Sequence, residues 1–140
     1  MEILDEAGTD LQVIVERFER CDFKIEGFTH VIHLSVAACY LTKFSFDEAL
    51  VRMRAGLQRF IAHHGKPGYH ETITRFWMEL ISRFLSGVPK EASIAERVNG
   101  VIARYGTKDI LFEYYTRERV MTEIARWEWV EPDLKSLPRT

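Results

Sequence analysis

Cysteine is nearly absent from this chain, with Cys21 and Cys39 the only two among 140 residues. They stand apart, without a Cys-x-x-Cys pair, which excludes a disulfide framework and a thiolate zinc site. Both read as buried, inert thiols, since free cysteine usually packs as a small core residue. An excess of charge of one sign is also missing. Lysine and arginine number 19 against 21 acidic residues, a formal net charge of -2, so no global positive field draws in nucleic acid or anionic lipid. Neither partner is expected. The longest nearly apolar stretch, Val31 to Leu41, is interrupted by His33 and Ser35 and falls far short of the roughly 20 residues that span a bilayer. Met1 to Asp10 carries Glu2, Asp5 and Glu6 where a signal peptide has a basic start and an apolar middle, so a cytoplasmic location is expected. No glycine loop is arranged to cradle phosphate, and no nucleophile elbow is present.

What is present has the balance of an ordinary globular protein, with 46 % hydrophobic and 29 % charged residues. A chain of this length can bury about two-thirds of its unfolded surface, so one domain covering residues 1–140 is expected.

Apolar residues recur with the helical period almost everywhere, and no alternation lasts long enough for a strand. The fold class is therefore all-α, a helical bundle of about five main helices plus short C-terminal ones. A first helix begins after Thr9 or Asp10, with Leu11, Ile14, Val15 and Phe18 on one face, and Cys21 to Gly27 ends it. Thr29 caps a second, which runs to about Lys43 with Leu34, Ala37, Ala38 and Leu41 inward. Ser45 and Glu48 have capping-box spacing for a third helix, whose stripe is Leu50, Met53, Leu57, Phe60 and Ile61. After the turn at Gly65-Lys66-Pro67-Gly68, Tyr69 to Leu85 reads as a fourth, with Ile73, Phe76, Trp77, Leu80, Ile81 and Phe84 inward. A fifth runs from about Ala92 to Tyr105, followed by shorter ones over Lys108 to Tyr114 and Arg117 to Trp127. Pro132 and Pro138 forbid a long continuation, so an extended tail from about residue 130 is expected to pack Trp129, Leu134 and Leu137 on the bundle or a partner.

Five histidines lie between His30 and His70. His30 and His33, three apart on a helix, have Cβ atoms about 5 to 6 Å apart and can bind one ligand together. His30 shares its stripe with Leu34, Ala37 and Leu41, and His70 shares one with Ile73, Trp77 and Leu80, so both should face inward. Near helix starts the dipole favours neutral imidazole, the form that binds metal. His63 and His64 sit at the far end of the third helix, where protonated rings or caps are favoured, and read as capping or surface residues. A metal held by His30, His33 and His70 would suit catalytic zinc, and two histidines with Glu71 would suit non-haem iron. Tyr69, Thr72 and Thr74 are the expected ligand-orienting groups, with Glu71 or His70 moving a proton if the site is catalytic. Two alternatives stand beside the divalent metal, namely a metal-free ligand or acid–base site and buried structural hydrogen bonding.

Arg52, Arg54 and Arg59 share a helix with Glu48 and read as a solvated face. Phe76, Trp77 and Phe84 read as core, and Tyr114, Tyr115, Trp127 and Trp129 as core or a dimer surface.

The segments Phe28-Thr29-His30-Val31-Ile32-His33, Arg54-Ala55-Gly56-Leu57, His64-Gly65, Tyr69-His70-Glu71-Thr72-Ile73-Thr74 and Trp129-Val130-Glu131-Pro132-Asp133-Leu134 together resemble a family of small uncharacterised bacterial proteins. The resemblance covers most of the chain and implies no activity. A looser similarity is to helical metal-binding bundles of the DinB type, which also use three histidines at a spacing not reproduced here. Two expectations follow. One is a helical protein binding a metal ion or small molecule in a histidine-lined pocket, as a metal-assisted or acid–base enzyme in its catalytic form. The other is a non-catalytic interaction or homodimerisation module whose histidines are satisfied internally.

Overall fold

The computed structural model describes residues 9–139, which are helical with no strand among them. The acidic start carrying Glu2, Asp5 and Glu6 lies outside the described residues. Five longer helices come first: α1 (Thr9–Glu19), α2 (His30–Lys43), α3 (Phe46–His63), α4 (Glu71–Ser86) and α5 (Ile94–Tyr105). Three short ones follow: α6 (Leu111–Tyr114), α7 (Arg117–Val120) and α8 (Glu123–Trp127), with 3-10 turns at Ile25–Gly27 and Lys108–Ile110. The described residues thus hold eight α-helices, more than the bundle expected from periodicity alone.

The extra helices arise from caps. Arg117 to Trp127 was expected as one helix, yet it divides at Met121 and Thr122 because the Thr122 hydroxyl turns back to accept from Ala125 N at 3.1 Å and starts α8 afresh. Thr116 does the same for α7 through Arg119 N. At α3, Ser45 accepts from Glu48 N at 3.2 Å, but the Glu48 carboxylate pairs with Arg52 instead of returning to the cap. The reciprocal capping box is at α5, between Ser93 and Glu96. It sets the start of that helix two residues beyond Ala92.

α2 is the centre of the fold and touches α1, α3, α4 and α5. Residues 34–40 are all buried, so these two turns have no solvent face, and the small Ser35, Ala37 and Ala38 let neighbours approach from several sides. Around α2 one contiguous core gathers Phe18, Met53, Phe76, Met78, Leu80, Ile81, Val98 and Val101. α1 meets α3 where the Phe18 ring packs against Gly56, and a Cβ there would overlap the ring. No helix among the described residues is long and apolar enough to cross a membrane.

The tail beyond α8 carries no helix among the described residues and is fastened mainly through its backbone. Thr72 Oγ1 donates to Glu128 O at 2.7 Å, and Tyr115 OH donates to Val130 O at 2.6 Å. Asp133 accepts from both N and Oγ1 of Thr116, and Arg83 donates to Pro138 O. Trp129 and Leu137 pack on the core as expected. Leu134 does not, since its backbone N–H bonds Tyr114 O while its side chain stays 53 % exposed.

Candidate functional site

Thr29 ends the loop before α2 by accepting from Ile32 N, which places His30 in the first turn and His33 one turn later. The His30 ring stands on Trp77 of α4, centroids 4.7 Å apart and near edge-on. Its Nε2 lies 3.0 Å from Tyr105 O at the end of α5. A carbonyl only accepts, so Nε2 carries the proton and a neutral ring keeps Nδ1 as its acceptor. His33 follows with its ring centroid 6.4 Å from that of His30 and 6.1 Å from that of Phe28. Its Nε2 is buried and has no hydrogen-bond partner.

Burial dominates both titrations. It pushes the His33 imidazole down to about 4, with His30 adding repulsion. Burial also lowers His30, opposed by the bond to the Tyr105 carbonyl and reinforced by Lys108. Both rings are neutral near pH 7.

These two histidines line a cavity of about 440 Å³. Phe28, Ile73, Trp77, Leu111 and Phe112 give it an apolar wall, and Thr29, Lys108 and Asp109 stand with the histidines as its polar groups. The volume suits a small organic molecule, and a mostly apolar lining with a few polar groups is the usual character of such sites.

The structure brings His30 and His33 together but leaves His70 outside this cavity. The fourth helix was expected to begin at Tyr69, with His70 inside its first turn. Instead His70 is the N-cap, in extended conformation, and its Nδ1 accepts from Ile73 N at 3.2 Å. Its Nε2 donates to Val120 O at 2.8 Å. Both ring nitrogens are therefore engaged, and no lone pair is left for a metal. Burial lowers the His70 imidazole, which the Val120 bond opposes. Among the described residues no three of His, Cys, Asp and Glu are grouped to hold a metal ion.

The neighbours of His70 are occupied as well. Glu71 receives a two-pronged bond from Arg54 of α3, at 2.9 and 2.7 Å, and a third from Tyr69 OH at 2.6 Å. Burial opposes ionisation of Glu71, but the bonds from Arg54 and Tyr69 outweigh it and hold the carboxyl below its ordinary range. A carboxylate so held is a poor proton acceptor. Burial and the bond to Glu71 push the Tyr69 phenol well above its usual range. Thr72 fastens the tail, and Thr74 Oγ1 donates to His70 O at 2.8 Å within the first turn of α4. The Tyr69 to Thr74 segment is thus a clasp joining α3, α7 and the tail to the start of α4.

His64 is the C-cap of α3 and donates from Nε2 to Phe23 O at 2.9 Å, while His63 is exposed. Cys39 is buried, with its thiol pushed up to about 11 by burial, and Cys21 is half-buried in a left-handed conformation with φ 57°.

Lys108, Asp109 and Phe112 were not expected at the site. Nothing local marks them, since the chain returns to His30 only after 75 residues, at Tyr105. Compared with family models, curated proteins and solved structures, the chain matches none.

Proposed function

We propose that this protein binds a small, mostly apolar molecule in the cavity between the start of α2, the second turn of α4 and the Lys108–Phe112 segment. The observation that carries this reading is a mostly apolar cavity of about 440 Å³ with His30 and His33 side by side in its lining. His33 is one of the few polar residues in that apolar lining, the usual character of a small-molecule site. His30, pinned by Tyr105, supplies a second polar contact of defined sense. Asp109 lines the cavity too, but among the described residues no third His, Cys, Asp or Glu is grouped with the two histidines to complete the three protein ligands of a catalytic zinc, so the reading is a metal-free one. Glu71 and His70, engaged elsewhere, supply no acid–base pair to this cavity, and binding rather than catalysis is proposed.

The test is a fragment screen on the full chain, observed by NMR. Fragments that bind should shift the His33 and Trp77 resonances, and Ile73→Trp, which fills the cavity, should abolish those shifts. Hits that perturb neither residue, or none at all, would overturn the reading.

A second reading is self-association through α7 and α8. Met121 at the end of α7 and Ile124 and Trp127 of α8, three apart on one helix, are 53, 64 and 62 % exposed, large apolar side chains left in solvent. The Trp127 indole donates to Glu123 and Arg126 lies over its ring, so charges of both signs stand beside it. Sedimentation of the wild type and of Ile124→Glu separates the two: a dimer lost in the variant supports this reading, and a monomeric wild type removes it.

A further inference from the structure

We propose that the molecule bound in the α2–α4 cavity is a small uncharged aromatic compound bearing a hydroxyl, whose O–H donates to Nδ1 of His30. This inference rests on the cavity reading above and adds the class of ligand.

The first reason is the sense of the hydrogen bond. His30 Nε2 faces the Tyr105 carbonyl at 3.0 Å and must donate to it, so the remaining nitrogen of the neutral ring can only accept. The ligand must bring the proton. The second reason is charge. Ile73 and Trp77 of α4, Phe28 and Thr29 of the preceding loop, and Leu111 and Phe112 of α6 bring no ionised group to the cavity. Lys108 and Asp109 add one charge of each sign, so the lining carries no net charge. An anion drawn to Lys108 meets Asp109 beside it and a cation drawn to Asp109 meets Lys108, so neither sign gains a net counter-charge to offset the loss of water.

The third reason is what the ligand must accept. Lys108 offers only donors, so a group that donates to His30 and also has lone pairs uses the site better than an N–H that has none. A hydroxyl does both. Finally, the walls are aromatic. Phe28 and Phe112 stand with Trp77, whose ring already meets His30 near edge-on, and a flat ring between them gains the edge-to-face and offset contacts that aromatic groups favour.

Naphthol, methoxynaphthalene and naphthoate share a ring body and differ in the group they present. Each is titrated into the full chain carrying isotope-labelled histidine, with the imidazole nitrogens and the Trp77 indole observed by NMR. Naphthol should bind about fivefold or more tighter than the other two, the worth of one net neutral hydrogen bond, and it alone should shift Nδ1 of His30. His30→Phe should bring naphthol down to the affinity of methoxynaphthalene. If that variant does not fold, the Nδ1 resonance of the wild type decides. Tighter binding of naphthoate or methoxynaphthalene, with shifts at His33 and Trp77, would overturn the hydroxyl class and leave the cavity reading standing. If none of the three shifts His33 or Trp77, both fall together.

Discussion

The Thr72 hydroxyl and the Val130 backbone meet across 58 residues of chain: Val130 N donates to Oγ1 at 3.2 Å while the same oxygen donates to Glu128 O at 2.7 Å. One fully buried hydroxyl therefore satisfies two backbone groups of the tail. Thr72→Val keeps the shape and leaves both unpaired, and it should cost about 1–3 kcal/mol in denaturant unfolding. Hydrogen exchange at Val130 should rise with it. Thr74→Val should cost less, because Thr74 Oγ1 only adds a bond to a carbonyl that already accepts from Thr74 N.

Acid should weaken the fold through its buried histidines. His33 moves from an ordinary value of 6.5 to about 4, so between these limits the unfolded chain binds more protons than the folded one. Stability then rises with pH in that window, is complete above it and is lost as pH falls through it. The loss from His33 is on the order of 3 kcal/mol, and His30 and His70 shift in the same direction. Unfolding free energies measured across the window should fall with falling pH for the wild type and fall less steeply in His33→Phe, where His30 and His70 still titrate. An equal slope in both proteins would show that His33 does not titrate as its burial requires.

His70 and His33 should separate in their effects. His70→Asn keeps a capping oxygen for Ile73 N but loses the bond to Val120 O, so it should destabilise the fold by about 1 kcal/mol or somewhat more. Fragment affinity in the cavity should stay unchanged, whereas His33→Phe should alter it. Calorimetric titration of both variants with one fragment checks this, and a loss of binding in His70→Asn would place that ring back in the site.

Glycines at two helix crossings should respond differently. An added Cβ at Gly56 overlaps the fully buried Phe18 ring, so Gly56→Ala should destabilise by about 1–3 kcal/mol despite its better helix propensity. At Gly100 the Phe84 ring edge is 3.3 Å away and half-buried, so a small shift suffices. The gain of about 0.5–1 kcal/mol from replacing a helical glycine should then bring Gly100→Ala near neutral. Thermal unfolding of the two variants distinguishes them.

Caps give a parallel contrast. Ser93→Ala and Ser45→Ala each remove one bond, from Glu96 N or Glu48 N to the hydroxyl, so each should cost about 1 kcal/mol, whereas Ser93→Ala combined with Glu96→Ala also removes the bond from Ser93 N and should cost up to about 2 kcal/mol. A double variant no less stable in thermal unfolding than Ser93→Ala alone would mean that the Glu96 carboxylate adds nothing at the cap.

Local chemistry explains which parts of this fold were legible beforehand. Thr29 and Ser45 announced the starts of α2 and α3 because an N-cap acts within its own turn. The division between α7 and α8 was missed because the apolar spacing runs on through Thr122 and conceals a cap in mid-pattern. His70 misled for a related reason. Periodicity placed it on the inward stripe of α4, but its ring accepts at the helix start, a task usually taken by Ser, Thr, Asp or Asn, and its other nitrogen meets a carbonyl 50 residues later. The pairing of His30 with His33 follows from a spacing of three and could be read directly. Their companions Lys108 and Phe112 come from the end of α5 and beyond, and no pattern within a single helix reports that return.

The clasp at the start of α4 also has a schedule. A ribosome adding about 5–20 residues per second needs roughly 3 to 12 s to go from Thr72 to Val130. Throughout that interval the nascent α4 has no tail to close its first turn, and for most of it the Phe76 ring also lacks Tyr114 and Tyr115, which it meets at 5.2 and 5.7 Å in the finished protein. The chain is therefore most open to unwanted association, and most in need of a chaperone, in the seconds before Val130 is made.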